Sequence, residues 1–350
     1  MNLIKKLVTI SLILTILITT TSCSAKEQKK YSAQFLELFN TITEIIAYSD
    51  SKEDFSAFAQ LIYDNLEEYH KLYDKYNNYD GINNIKTIND NAGIKPVKVD
   101  QRIIDLLLFS KNQYQQSEGK VNISMGSVLE IWHEYREDGI NNPETASLPP
   151  MEQLEAANMH TDIDKLIIDE ASSTVYLSDA NMRLDVGAIA KGYATEQVSQ
   201  IAKNNGYKNF LLSVGGNVRS MGTKGPKKEL WSVGIQNPDK TSEKKSLYTL
   251  SLTNLSLVSS GNYERYYTVN GKVYHHIIDP VTLMPAEYFT SVSIVCEDSG
   301  LADALSTTIY NMPLEEGKAL IESLEDVEAL WVLPNGEIKY SEHFEELIKQ

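Results

Sequence analysis

Across residues 55–76 the apolar positions Phe58, Leu61, Ile62, Leu66 and Tyr69 recur at three- and four-residue steps, which predicts an amphipathic helix. Residues 103–114, 188–204, 302–311 and 314–323 read as further helices. Residues 39–48 (FNTITEIIAY) instead alternate apolar and polar positions and are rich in β-branched side chains, which predicts a strand. Strands are also expected at 166–177, 210–214, 231–236, 247–258, 266–274 and 291–296. The Asn- and Gly-rich stretch 77–95 reads as a loop, as does 137–150, which closes on Pro149 and Pro150. Helices and strands mix without regular βαβ alternation. The expected class is therefore α+β, a largely antiparallel sheet with flanking helices.

The first 22 residues stand apart from this pattern. Lys5 and Lys6 precede an apolar run from Leu7 to Ile18 that is too short for a comfortable membrane span, the form of a targeting segment. It ends in TTTSC. Ser22 before Cys23 resembles a bacterial lipobox, with Thr20 where leucine is usual. The expected organisation is a lipoprotein signal peptide at 1–22, a lipidated Cys23 and polar linker at 23–34, and one domain at 35–350, held on the extracytoplasmic face of the cell membrane. An ordinary signal peptide with an incidental cysteine is the alternative. With Cys23 lipidated, Cys296 has no partner for an internal disulfide.

The chain has 350 residues, 42% of them hydrophobic, enough for a full core. Its formal net charge is −16, and loss of residues 1–22 removes two further positive charges. Such an acidic surface argues against nucleic acid as a partner. An anionic substrate would need a metal or local cations.

The segments with chemical content lie late in the chain. YHHIIDP, from Tyr274 to Pro280, sets His276 three residues before Asp279. Adjacent strand residues face opposite ways, so at most one of His275 and His276 faces a site. ADALSTTIY, from Ala302 to Tyr310, places Asp303 and Thr307 on one helix face, where two oxygens can hold Mg²⁺. The same pair is also consistent with a dipole-favouring Asp and a Thr bonded back to a carbonyl. RLDVGAIAKGY, from Arg183 to Tyr193, reads as strand, glycine turn and helix, with Asp185 and Lys191 beside free N–H groups that can meet an anion. A plain capped turn is the alternative there. SVGGN at Ser213–Asn217 and VSSGNYER at Val258–Arg265 read as turns that can also approach a ligand.

Taken together, these segments resemble the ApbE family of bacterial flavin transferases. The matching residues are 39–41, Gly119 to Trp132 (GKVNISMGSVLEIW), Leu184 to Tyr193, Ser213 to Asn217, Ser259 to Tyr267 (SSGNYERYY), His276 to Pro280 and Ala302 to Thr307, in family order across nearly the whole mature chain. The resemblance implies an enzyme that uses FAD and Mg²⁺. It would split the FAD pyrophosphate, move FMN onto a threonine or serine of an extracytoplasmic acceptor flavoprotein, such as a subunit of an ion-translocating redox complex, and release AMP.

It further implies metal ligation by the Ala188 carbonyl, Asp303 and Thr307, and contacts to the flavin nucleotide from Phe39, Tyr79, Lys120, Val121, Asn122, Asp185, Lys191 and Ile278. Tyr76 is a substitute for the stacking role of Tyr79. His276 is the expected general base, its pKa range suiting proton transfer. The sequence departs from the family pattern at Phe39–Asn40 (for Met-Gly), Asn122 (for Asp), Leu283 (for Gly) and Ser306, which is sometimes acidic. An FAD pyrophosphatase, a flavin-binding lipoprotein without catalysis and a purely structural surface lipoprotein are the rival readings.

Overall fold

The computed structural model describes residues 28–349. The signal-peptide and Cys23 expectations lie outside these residues. Among the described residues, no helix is long and apolar enough to cross a membrane.

The chain opens with β1 (Lys29–Phe35), a 3₁₀ turn at Leu38–Asn40 and β2 (Thr43–Ser49). Residues 29–34, expected as linker, are thus part of the fold, paired antiparallel with β2. The strand expected from residue 39 starts later because Phe39 and Asn40 take positive φ of 55° and 52°, a left-handed step that breaks extension. Asn accepts that conformation better than most residues, which explains how Asn40 stands where the family pattern has glycine.

Helix α1 (Lys52–Tyr73) follows, capped by Ser51 on the Asp54 N–H. The stretch 77–95 is not all loop. Asn84 and Thr87 form a reciprocal capping box that starts α2 (Ile85–Asp90). Then come β3 (Val97–Lys98), α3 (Gln101–Gln116), α4 (Gly126–Asn141) and α5 (Met151–Asn158). Helix α4 takes the first part of the loop expected at 137–150, and the sequence pattern does not mark α4 or α5 as helices.

The strand expected at 166–177 is a hairpin of β4 (Leu166–Asp169) and β5 (Thr174–Leu177), turned at Ser173 with φ 53°. Helix α6 (Ala190–Asn204) leads into the hairpin β6 (Phe210–Val214) and β7 (Asn217–Met221), then β8 (Trp231–Gln236). The stretch 247–258 divides at Asn254, φ 53°, into β9 (Ser246–Leu252) and β10 (Ser256–Gly261). Asn270–Gly271, both at positive φ, likewise fold 266–274 into a hairpin of β11 (Tyr266–Val269) and β12 (Lys272–His275). The chain ends with β13 (Ser291–Cys296), α7 (Ser299–Tyr310), α8 (Leu314–Glu322), β14 (Glu328–Val332) and β15 (Ile338–Tyr340).

The main sheet has eight strands in the order β1-β2-β6-β7-β10-β13-β14-β15, every pair antiparallel. One core cluster joins α1, α3 and α6 to β2 and β6 through Phe58, Ile62, Leu66, Leu107, Val198 and Phe210. A second sets α7 against β13 and β14 through Val292, Ile294, Ile309 and Trp331. The β8–β9 ribbon buries Trp231, Val233 and Leu250 with Leu257 and Leu330 of the sheet.

Leu283 shows how a departure from the expected pattern is accommodated. It holds a φ of 58°, where glycine is at ease and leucine is strained by roughly 1–2 kcal/mol. Its side chain is buried with Met125, Val128 and Trp132, and its carbonyl accepts the Trp132 indole N–H at 2.9 Å. Burial outweighs strain. Leu283→Gly is expected to destabilise the protein by about 2 kcal/mol in urea denaturation; an unchanged or raised midpoint would contradict this balance.

Candidate functional site

The segment at residues 183–187 is fixed from below. The buried amide of Asn89 donates to the Leu184 carbonyl at 3.0 Å and accepts the Leu184 N–H at 2.7 Å. The Asp185 N–H donates to the Ile123 carbonyl. The Asp185 carboxylate accepts the Gly187 N–H at 2.9 Å and pairs with Lys75 at 2.6 Å. Burial alone would push this carboxyl up, but Lys75 and the Gly187 N–H hold it below the ordinary range.

One hydrogen bond at the start of α6 shapes the next part. The Gly192 N–H does not close on the Ala188 carbonyl four residues back. It donates instead to Oδ2 of Asp303 on α7, at 2.8 Å. Two helices must approach closely for this. A Cβ at Gly192 would lie 2.3 Å from the Ser299 carbonyl oxygen and 2.4 Å from the Asp303 Cβ. Three oxygens are left without protein hydrogen-bond partners among the described residues: the Ala188 carbonyl, Oδ1 of Asp303 and the Thr307 hydroxyl. Thr307 does not bond back into its helix through its side chain; Ser306 does, to the Asp303 carbonyl at 2.9 Å. Burial raises the Asp303 pKa, with Lys191 and the Gly192 N–H opposing the shift.

Among the described residues no group of three or more His, Cys, Asp or Glu forms a metal cage. One carboxylate, one hydroxyl and one carbonyl instead make a hard, sparse oxygen set. That set fits Mg²⁺, which binds through one or two carboxylates plus substrate phosphates. A buried carboxylate with an elevated pKa and a free oxygen also lacks the positive charge that such an ion supplies.

These residues line a cleft of about 730 Å³. It brings together Phe39, Lys120, Val121, Asn122, Asp185, Ala188, Lys191, His276, Ile278, Asp303 and Thr307. Tyr79 is not among the lining residues. Its hydroxyl donates to Asp74 at 2.8 Å, and burial and that bond push it up to about 12. Tyr76 does line the cleft, half exposed, with the Lys75 ammonium 4.8 Å from its ring centre. Asn122 faces the cleft as scaffold: its amide donates to the Thr161 carbonyl and accepts the Ser124 N–H. Aspartate could not make the first of these bonds. Asp279 does not orient His276; its carboxylate accepts the Val281 N–H at 2.8 Å within its own turn, 3.9 Å from Lys120.

The His276 ring hydrogen-bonds through Nδ1 to the Arg265 carbonyl at 3.2 Å. A carbonyl only accepts, so Nδ1 carries the proton and Nε2 holds the free lone pair. Burial and the nearby cations Arg265, Arg136 and Lys191 push its pKa down to about 3. The ring is neutral over the physiological range. His275, the other member of the pair, is buried and bonds the Ala286 carbonyl.

The cleft also gathers two cations that the sequence pattern did not single out, together with residues of the SVGGN and VSSGNYER segments. Lys75 and Arg136 line it, with Arg136 bonded to His133, which in turn pairs with Glu137 at 3.0 Å. Burial and the neighbouring Arg265 lower the Arg136 pKa, so two guanidinium groups share one concavity on a strongly acidic protein. The only available signal for Arg136 was its position one turn beyond Trp132; Lys75 had none. The Gly215–Gly216 turn of the β6–β7 hairpin reaches the rim, its residues at φ 56° and 89°. The Oδ1 atoms of Asn217 and Asn311, both lining residues, are buried without partners, as expected where a ligand completes the hydrogen bonding.

A sequence model of the ApbE family matches residues 39–331. The FAD:protein FMN transferase of Treponema pallidum is 32% identical over 270 residues, 73% of this chain and 72% of that protein. That of Klebsiella pneumoniae is 29% identical over 255 residues, covering 73% and 76%. The crystal structure of the ApbE protein from Thermotoga maritima superposes with a TM-score of 0.80 at 28% identity, covering 92% of this chain and all of that one. The Pseudomonas stutzeri flavinyl transferase shares the fold, with a TM-score of 0.75 at 21% identity. With the matched segments converging on one cleft, this chain belongs to the ApbE family.

Proposed function

We propose that this protein is an Mg²⁺-dependent FAD:protein FMN transferase acting on an extracytoplasmic acceptor flavoprotein, to which it is brought by a lipid anchor at Cys23. The family and its named relatives support the transferase class. The observation that carries the finer reading is the oxygen trio created when Asp303 takes the Gly192 N–H, set in a cleft large enough for a dinucleotide.

In this reading, Asp303, Thr307 and the Ala188 carbonyl hold Mg²⁺. When bound, the ion neutralises pyrophosphate oxygens and stabilises the leaving AMP. Lys191, Arg136 and Arg265 supply fixed positive charge around the same phosphates. Lys75 is engaged by Asp185 and keeps that carboxylate ionised. Tyr76 offers an exposed ring for stacking on a planar base. The acceptor hydroxyl oxygen attacks the phosphorus on the FMN side, and the bond from that phosphorus to the bridging oxygen breaks. AMP leaves with the bonding pair, and the hydroxyl proton passes to Nε2 of His276. The cations that depress His276 are countered when an anionic nucleotide enters, so binding raises the basicity of the ring when a base is needed.

Incubation with FAD, Mg²⁺ and an acceptor protein bearing the target threonine tests this. A fluorescent acceptor, with AMP released in equal amount, is the expected result. Free FMN with an unlabelled acceptor would make the protein a pyrophosphatase, and FAD retained intact would leave only a binding protein.

A further inference from the structure

We infer that the end of the molecule opposite the cleft is a basic face that lies on an anionic bilayer surface, so that the cleft opens away from the membrane. Six lysines meet there. Lys30 pairs in register with Tyr48 across β1 and β2. The Tyr48 ring packs on Gly225 and lies 6.2 Å from the Trp231 ring, placing Lys30 beside the 224–229 turn. That turn carries Lys224, Lys227 and Lys228. Lys224 and Lys349 both reach the Ser232 hydroxyl, at 3.4 and 3.1 Å, and the Lys208 carbonyl packs against Gly222.

Among the described residues only Lys224 of these six forms an ion pair, with Glu229 at 3.6 Å. Asp50, next after β2, and Glu53 and Asp54 in the first turn of α1, where Lys52 also stands, are the other acids at this end. Against 48 acidic and 32 basic side chains in the whole chain, such a concentration of lysine runs counter to the composition. Leu230 stands in the same loop, 43% exposed, an apolar side chain suited to the headgroup boundary.

The geometry supplies the orientation. Lys208 and Gly222 flank the open end of the β6–β7 hairpin, and its Gly215–Gly216 turn lies at the cleft. Five residues of strand separate the two ends by about 17 Å. Strands β1 and β2 share this polarity, with Lys29 at the basic end and Phe39 and Asn40 at the cleft. Lys29 follows the proposed anchor Cys23 by only a short polar stretch, so the lipid and the lysines address one surface, and a polybasic patch adds a second attachment signal to an acyl anchor. An acidic partner protein is the competing occupant; the short reach from the anchor to this face favours the bilayer.

The chain from Ser24 onward holds every described element and carries no lipid. It is expected to sediment with vesicles of about one-third phosphatidylglycerol in phosphatidylcholine at low salt, and to be released at high salt. K208Q/K224Q/K227Q/K228Q should lower the partition coefficient on the order of a hundredfold, with FAD turnover unchanged as proof of folding. Equal partition of parent and variant, equal binding to pure phosphatidylcholine, or capture by soluble polyglutamate with no vesicle binding would overturn the inference. Turnover is read separately, so loss of vesicle binding and loss of the proposed activity are distinguishable.

Discussion

Asp303→Ala is expected to lower Mg²⁺-dependent AMP release from FAD by at least about a thousandfold, the loss of roughly 4 kcal/mol of transition-state stabilisation. The effect is large because one substitution removes two oxygens. The carboxylate goes directly. The Gly192 N–H, released from Oδ2, is then free to close the ordinary helical bond on the Ala188 carbonyl, which withdraws that oxygen as well. Asp303→Asn separates the two effects. Its amide oxygen can still accept the Gly192 N–H and keep Ala188 free, so this variant should fall between wild type and alanine. The fold should survive, since burial already raises the pKa of this carboxyl and its ionised form is costly in the empty cleft. A melting temperature near wild type, together with lost Mg²⁺ dependence, is the expected pair of readings. Wild-type turnover by the alanine variant would remove the metal assignment.

His276→Ala should slow transfer by about 10²–10⁴-fold while FAD affinity stays close to wild type, as expected for loss of a general base. The pH profile carries further information. In the free enzyme His276 is pushed down to about 3, so the acid limb that it contributes to kcat/KM should lie well below the usual imidazole range. In the nucleotide complex the phosphates offset Arg136, Arg265 and Lys191, and the limb in kcat should move up. Stability follows the same group with a defined sign. The unfolded ring takes a proton near 6.5 and the folded ring only near 3, so the contribution of His276 to stability is full above 6.5 and is lost progressively as pH falls toward 3. An acid limb at the same pH in wild type and His276→Ala would exclude it as the base.

The residues that form the oxygen trio were legible as sequence. Asp303 and Thr307 stand four apart on one helix, and the glycine-bearing turn at residues 185–192 leads into another, although the strand expected before that turn is only an isolated bridge at Arg183. Tyr79 shows the limit of spacing as a guide. Its ten-residue separation from Asn89 fits a pattern, yet the side chain turns toward Asp74, and Tyr76, three residues beyond the end of α1, reaches the cleft. Lys75 carries no local mark and Arg136 only its place one turn beyond Trp132, because their meaning arises from groups far along the chain: Lys75 from Asp185, 110 residues on, and Arg136 from Arg265. The breaks within 166–177, 247–258 and 266–274 were missed for a different reason. Residues at positive φ (Ser173, Asn254 and the pair Asn270–Gly271) interrupt these β-rich runs.

What the sequence determined by itself is what depends on neighbours within a few residues: the periodic helices, the α+β class, and the short segments that carry oxygen, imidazole and glycine. Only the tertiary structure decided which of those atoms remain free for a ligand. That outcome turns on competition between partners, as when a backbone N–H is drawn from its own helix by a carboxylate 111 residues away. A linear pattern specifies donors and acceptors, but packing decides which of them pair with each other and which are left for substrate.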